Sequence, residues 1–183
     1  MYILLIAFFI SSALGKSIDH DPCPPFTPPG PGFDLNKYLG LWYEIARTDV
    51  PYEKGLDCVN ATYTLREDKN ITVLNQGKNL QTKVVSVLQG VARVTPQANL
   101  LEVRFNPRSP EAPYWIVDTD FSTYSVVYSC ADVGKYVYRG AYILSRLPVI
   151  PETLREKLIL KLVDLGIKKG DLKLTKQLEC FFP

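Results

Sequence analysis

The feature that most constrains this chain is a series of eight short segments rich in Val, Ile, Leu, Thr and Tyr. They fall at residues 40–48, 58–66, 71–76, 82–95, 100–106, 114–119, 124–130 and 136–146. Turn-forming residues separate them, among them Val50-Pro51, Glu67-Asp68, Gly77-Lys78, Pro96-Gln97 and the 107–113 stretch. None of the gaps carries a helical period. Eight strands on short connections predict an all-β antiparallel meander, and such a sheet disposes of its exposed edges best by closing into a barrel.

One helix is expected after the last strand. Pro151-Glu152-Thr153 opens it, and Leu154, Leu158, Leu162 and Leu165 recur at spacings of four and three. Gly166 stands where a helix-terminating glycine belongs. A lone amphipathic helix of this kind packs on the outer wall of a barrel.

The balance of 21 basic and 19 acidic residues leaves a net charge of +2, without the basic stripe that nucleic acid requires. The single histidine, His20, lies in a proline-rich segment near the start. A histidine-based triad or a multi-histidine metal site in the folded body is therefore excluded. No metal or other cofactor is expected.

Residues 2–10 form an apolar run about half the length of a membrane-spanning helix. Ala13 and Gly15 follow at the spacing that suits signal peptidase, so residues 1–15 read as a signal peptide. Residues 16–33 read as an extended proline-rich arm and residues 34–183 as one domain, long enough for a single core. Secretion implies that Cys23, Cys58, Cys130 and Cys180 pair, and their spacing leaves all three connectivities open. Asn60-Ala61-Thr62 and Asn70-Ile71-Thr72 are sequons, so Asn60 and Asn70 are candidate glycan sites.

Three blocks carry a family resemblance. Gly40-Leu41-Trp42 opens the first strand, Thr119-Asp120 ends the sixth, and Arg146 ends the last. With these spacings the chain resembles the lipocalin family, and within it the apolipoprotein D branch with its invertebrate members. Asn36-Lys37-Tyr38-Leu39-Gly40, Trp42-Tyr43-Glu44-Ile45, Val73-Leu74-Asn75-Gln76, Ala112-Pro113-Tyr114-Trp115-Ile116 and Val127-Tyr128-Ser129-Cys130 carry the finer match. Phe121 departs from the tyrosine usual after Thr-Asp. The resemblance implies an eight-stranded up-and-down barrel, with Trp42 plugging one end and Arg146 stacked across it. It also implies the pairing Cys23–Cys130 and Cys58–Cys180.

Strand alternation then sorts the wall. If Asn60 and Asn70 carry glycans they face outward, which turns Ala61, Tyr63 and Leu65, and Ile71, Val73 and Asn75, toward the interior. Arg146 at the base puts Gly140, Tyr142 and Leu144 on the same face. Glu44 shares parity with Trp42, and a carboxylate there needs a partner the sequence does not name. Small residues mixed with tyrosines and an amide leave room for one small ligand. Tyr63, Asn75 and Tyr142 are expected to line that cavity from parity, with Leu144 adding apolar wall, and Phe105 and Tyr114 join them by resemblance.

The function these features imply is that of a secreted, extracellular binder and carrier of a hydrophobic molecule of the fatty-acid, sterol or pigment class. All four cysteines match bridge positions, so no thiol is left for catalysis or for an intermolecular bond. A monomer or weak homodimer is expected. The alternative class is a protective protein of lipid or lipoprotein surfaces, using Val50-Pro51-Tyr52, the 107–113 loop and Phe181-Phe182 as apolar tips. A lipocalin-fold enzyme is the remaining, least supported alternative.

Overall fold

The computed structural model describes residue 23, residues 32–133 and residues 136–180. The leader, nearly all of the proline-rich arm and Phe181-Phe182 lie outside the described residues. Eight strands follow one another: β1 (Gly40–Arg47), β2 (Asp57–Leu65), β3 (Ile71–Lys78), β4 (Val85–Val94), β5 (Leu100–Arg104), β6 (Ala112–Thr119), β7 (Tyr124–Val133) and β8 (Tyr136–Ser145). Each pairs antiparallel with the next, and β1 pairs with both β2 and β8, which closes the barrel. The expected architecture is therefore present, strand for strand.

Besides two 3-10 turns, Pro51–Glu53 and Lys169–Asp171, two elements among the described residues escape the sequence pattern. A four-residue helix, α1 (Leu35–Tyr38), is capped by Asp34, whose side chain accepts from the Asn36 N–H at 3.0 Å. It is too short to show a period. The second, β9 (Lys173–Leu174), is a two-residue strand that pairs with Ala46 and Arg47 of β1.

The expected helix is α2 (Glu152–Val163), with Gly166 beyond it at φ +86°. Leu158, Ile159 and Leu162 are buried against Ile45, Val126, Tyr128, Ala141 and Ile143 on the outer wall. Burying each such aliphatic side chain contributes about 1.5–3 kcal/mol. Lys161 adds an ion pair with Asp118 at 2.7 Å.

The base of the barrel is closed by a tryptophan and a guanidinium. Trp42 is fully buried, and its indole N–H donates to the Tyr38 carbonyl at 2.8 Å. Arg146 lies 3.7 Å from the ring centroid, and it donates to the carbonyls of Phe121, Leu41, Lys37, Tyr38 and Leu39. One side chain thus ties α1, the start of β1 and the β6–β7 turn together. Gly40 holds φ +93° beside it, a conformation that a side chain would strain. In the turn, Thr119 accepts from the Phe121 N–H and donates to the Tyr124 carbonyl, and Asp120 accepts from the N–H groups of Ser122, Thr123 and Tyr124. Partial burial pushes the Asp120 carboxyl up, but the three backbone donors outweigh it and hold it below the usual range. The hydroxyl that Phe121 lacks is not needed by this turn, which is built from Thr119 and Asp120.

Both bridges form as the resemblance implied, Cys23–Cys130 and Cys58–Cys180. Two expectations need correction. Asn60, paired opposite Tyr43, is only 6% exposed and borders the barrel cavity, rather than standing outward as expected. The reason is that the C-terminal segment runs along this part of β2, where Gln177 donates to the Val59 carbonyl and Cys180 bonds Cys58. Asn70 sits half-buried at the β2–β3 turn. Leu65, expected inward, is 46% exposed, because it is the last residue of β2 at the hairpin end.

Candidate ligand-binding site

Between the Trp42 base and the opposite loops the barrel holds a cavity of about 420 Å³. Tyr52, Glu53, Ser109, Pro110 and Glu111 line it from the β1–β2 and β5–β6 connections, so its mouth lies at the end away from Trp42. Strand alternation delivers the wall. Ala61 and Tyr63 from β2, Val73 and Asn75 from β3, Val103 from β5, Tyr114 from β6, and Tyr142 and Leu144 from β8 all reach it. Phe105 joins from just beyond β5. The six side chains expected from the sequence, Tyr63, Asn75, Phe105, Tyr114, Tyr142 and Leu144, thus meet in one cavity.

The phenols fall into two groups. Toward the base, Tyr63 and Tyr114 hydroxyls lie 2.7 Å apart, and Tyr38 reaches Tyr114 at 3.4 Å and Ser125 at 3.1 Å. Toward the mouth, Tyr52 contacts both Tyr138, at 2.9 Å, and Tyr142, while Tyr138 and Tyr142 are 3.2 Å apart. Burial pushes the Tyr63, Tyr114 and Tyr142 phenols well above their ordinary pKa, so they stay neutral. Gly140 gives this group its space: a Cβ there would come within 2.8 Å of the Tyr138 hydroxyl. Alternation from Tyr142 and Gly140 leads directly to Tyr138, which the sequence reading left out.

Asn75 faces the cavity with its Oδ1 buried and without a hydrogen-bond partner among the described residues. Unpaired buried acceptors cost about 1–3 kcal/mol, so a group that supplies the missing donor binds here at an advantage.

The partner of Glu44 is Arg47, and strict alternation hides it. A bulge at Ile45 puts Glu44 opposite Leu144 and Arg47 opposite Tyr142, so both charged residues turn inward. Arg47 Nη1 donates to Glu44 at 2.6 Å and to Thr175 Oγ1 at 2.9 Å. Nη2 donates to the carbonyls of Glu53 and Leu56 at 2.8 and 2.9 Å. Thr175 also contacts Glu44. Glu53, 6% exposed, completes the group, with its Oε2 3.1 Å from Arg47 Nε but not aligned for a hydrogen bond. One guanidinium thus stands between two carboxyls. Burial first, and then the neighbouring Glu44, push the Glu53 carboxyl up to about 9 against the pull of Arg47. The network fixes the 51–56 loop across the mouth.

The surface tips behave unequally. Val50 is buried, Tyr52 is 44% exposed but turns its hydroxyl inward, and the 107–110 stretch is exposed. All four cysteines are bridged.

A closed eight-stranded barrel, plugged by tryptophan and arginine at one end and hollow at the other, defines a class of small-ligand-binding barrels. The chain belongs to the lipocalin family: the Lipocalin-like domain description matches residues 33–177. It is 35% identical to apolipoprotein D of Mus musculus over 187 residues, covering 98% of this chain and 95% of that one. It is 40% identical to the Lazarillo protein of Schistocerca americana over 103 residues, covering 54% of this chain and 47% of that protein. Among solved structures, insecticyanin of the tobacco hornworm Manduca sexta shares the fold with TM-score 0.68 at 23% identity, covering 85% of this chain and 86% of that one.

Proposed function

We propose that this protein is a secreted, extracellular carrier that binds one hydrophobic molecule of the fatty-acid, sterol or pigment class in the barrel cavity, and that it is not an enzyme. The observation that carries this reading is a mostly apolar cup of about 420 Å³ whose wall holds the Asn75 amide oxygen without a hydrogen-bond partner among the described residues. A barrel meant only to be filled would place large aliphatics where Ala61 and Gly140 stand. Removal of residues 1–15 and passage through an oxidising compartment fit the two disulfides. In support of the non-enzymatic reading, among the described residues Glu44 and Glu53 face Arg47, Glu111 faces Arg93, and burial keeps the Tyr63, Tyr114 and Tyr142 phenols neutral.

Nile red titration of the purified chain tests the reading. The dye should bind one per chain with a blue-shifted emission, and Ala61→Phe, which fills the cup, should abolish that signal while the barrel still melts cooperatively. Undiminished dye binding by a folded Ala61→Phe variant would place the site elsewhere. Native mass spectrometry of secreted protein should show an adduct, and the molecule extracted from it should displace the dye.

A further inference from the structure

Resting on the reading of the cavity as the ligand site, we infer that it discriminates by charge, taking a ligand whose head is an uncharged hydroxyl or carbonyl and excluding a carboxylate on the same hydrocarbon chain. Among the described residues that line the cavity there is no Lys, Arg or His, whereas Glu44, Glu53 and Glu111 all reach it. The guanidinium behind the wall is not available to an anion. Four of its N–H bonds are given to Glu44, Thr175 and the carbonyls of Glu53 and Leu56, and the fifth faces Glu53. Arg93, outside the cavity lining, is shared between Glu102 and Glu111. A carboxylate entering the cup would lose its hydration with no cation among the described lining residues to replace it, beside other acidic groups.

What the cup does offer is neutral. Asn75 Oδ1 is buried and lacks a hydrogen-bond partner among the described residues. Asn75 can present either its carbonyl or its N–H to a ligand, and a hydroxyl matches both while a ketone matches one. The phenolic groups at Tyr63–Tyr114 and Tyr52–Tyr138–Tyr142 can likewise accept or donate without any charge. An alcohol, sterol-like or ketonic head is therefore fully matched here, whereas a fatty carboxylate finds donors but no countercharge among the described lining residues.

The experiment uses the full secreted chain with Nile red bound, displaced by dodecanol or by dodecanoate at pH 7.5. Dodecanol should displace the dye at a concentration about tenfold lower or more, since the uncompensated burial of a charge is strongly unfavourable. Lowering the pH toward 5 should strengthen dodecanoate as it becomes the neutral acid, and leave dodecanol unchanged. Asn75→Leu should remove several-fold of the dodecanol affinity; should that variant not fold, the pH series on the unmodified protein still decides. Equal or tighter displacement by dodecanoate at pH 7.5 overturns the inference while leaving the cavity as the ligand site. Failure of both compounds, with the dye still bound, also counts against it, whereas failure of the dye itself to bind overturns the site.

Discussion

Replacing Glu53 with glutamine should change how stability depends on pH, and its sign is opposite to that of an ordinary paired carboxylate. In the unfolded chain the carboxyl titrates near 4.5, and in the folded barrel burial and Glu44 raise it to about 9. Below pH 4.5 both states hold the proton and the group contributes no pH dependence. Above it the unfolded state releases the proton while the folded state keeps it, so stability falls as pH rises toward the folded value. The slope is about 1.4 kcal/mol per pH unit, which gives a ceiling of about 4 kcal/mol between pH 5 and pH 8. Glutamine has the shape of the protonated acid and cannot ionise. Glu53→Gln should therefore be close to the parent at pH 5 and gain about 2–4 kcal/mol on it by pH 8. Urea unfolding with both disulfides intact, followed by tryptophan fluorescence at both pH values, measures the difference directly. Parallel curves would refute the reasoning, and a parent that gains on the variant as pH rises would mean that Glu53 is ionised and paired with Arg47.

Three further substitutions probe the base, the wall and the amide. Arg146→Met keeps the apolar stem but removes the stacked charge and five carbonyl contacts, and should cost about 2–4 kcal/mol in urea unfolding. At Gly90, a Cβ would lie 2.6 Å from Phe105 Cδ1 and 2.8 Å from the Arg104 carbonyl, so Gly90→Ala should cost about 1–3 kcal/mol by pushing Phe105 into the cup. Its Nile red affinity should fall with it. Asn75→Leu should weaken ligands bearing a hydroxyl or carbonyl by about 1–3 kcal/mol and leave a pure hydrocarbon nearly unaffected; equal losses for both would remove Asn75 from the site.

The strand series, the external helix and the tryptophan–arginine base are legible in the sequence because each rests on a local pattern: alternation, a three-and-four spacing, a short block of residues. Tyr63, Asn75, Tyr142 and Leu144 follow from alternation counted from fixed points, and they meet in the cavity. Alternation fails where the backbone breaks it. The bulge at Ile45 inverts the face of Arg47, so the partner of Glu44 stood three residues away on what strict counting makes the wrong side. The requirement that a buried Glu44 be paired was the available signal, and Arg47 was the nearest basic residue along the strand. β9 gave no signal at all, since two exposed residues carry no period and are strand only by virtue of what they pair with. The burial of Asn60 has the same origin, a neighbour more than a hundred residues away in sequence.

That neighbour also sets the order in which the molecule can be completed. β1 and β2 pair directly only from Gly40 to Tyr43; past that point the wall is joined through the C-terminal segment, with Thr175 bonded to the Ile45 carbonyl, Lys176 to Cys58 and Gln177 to both Glu44 and Val59. The first strand synthesised thus waits for the last few residues of the domain. Until they leave the ribosome, Glu44 and Arg47 lack Thr175, Cys58 has no Cys180, and part of the β1 edge stays open to other chains. Closing a contact of 128 residues late is slow by topology alone, so a chain stopped before residue 173 should keep the direct β1–β2 and β1–β8 pairing but be protease-sensitive where β1 runs past Tyr43 without a partner on β2. Residues 173–180 thus act as a latch, fastening the part of the β1–β2 seam that direct strand pairing leaves open.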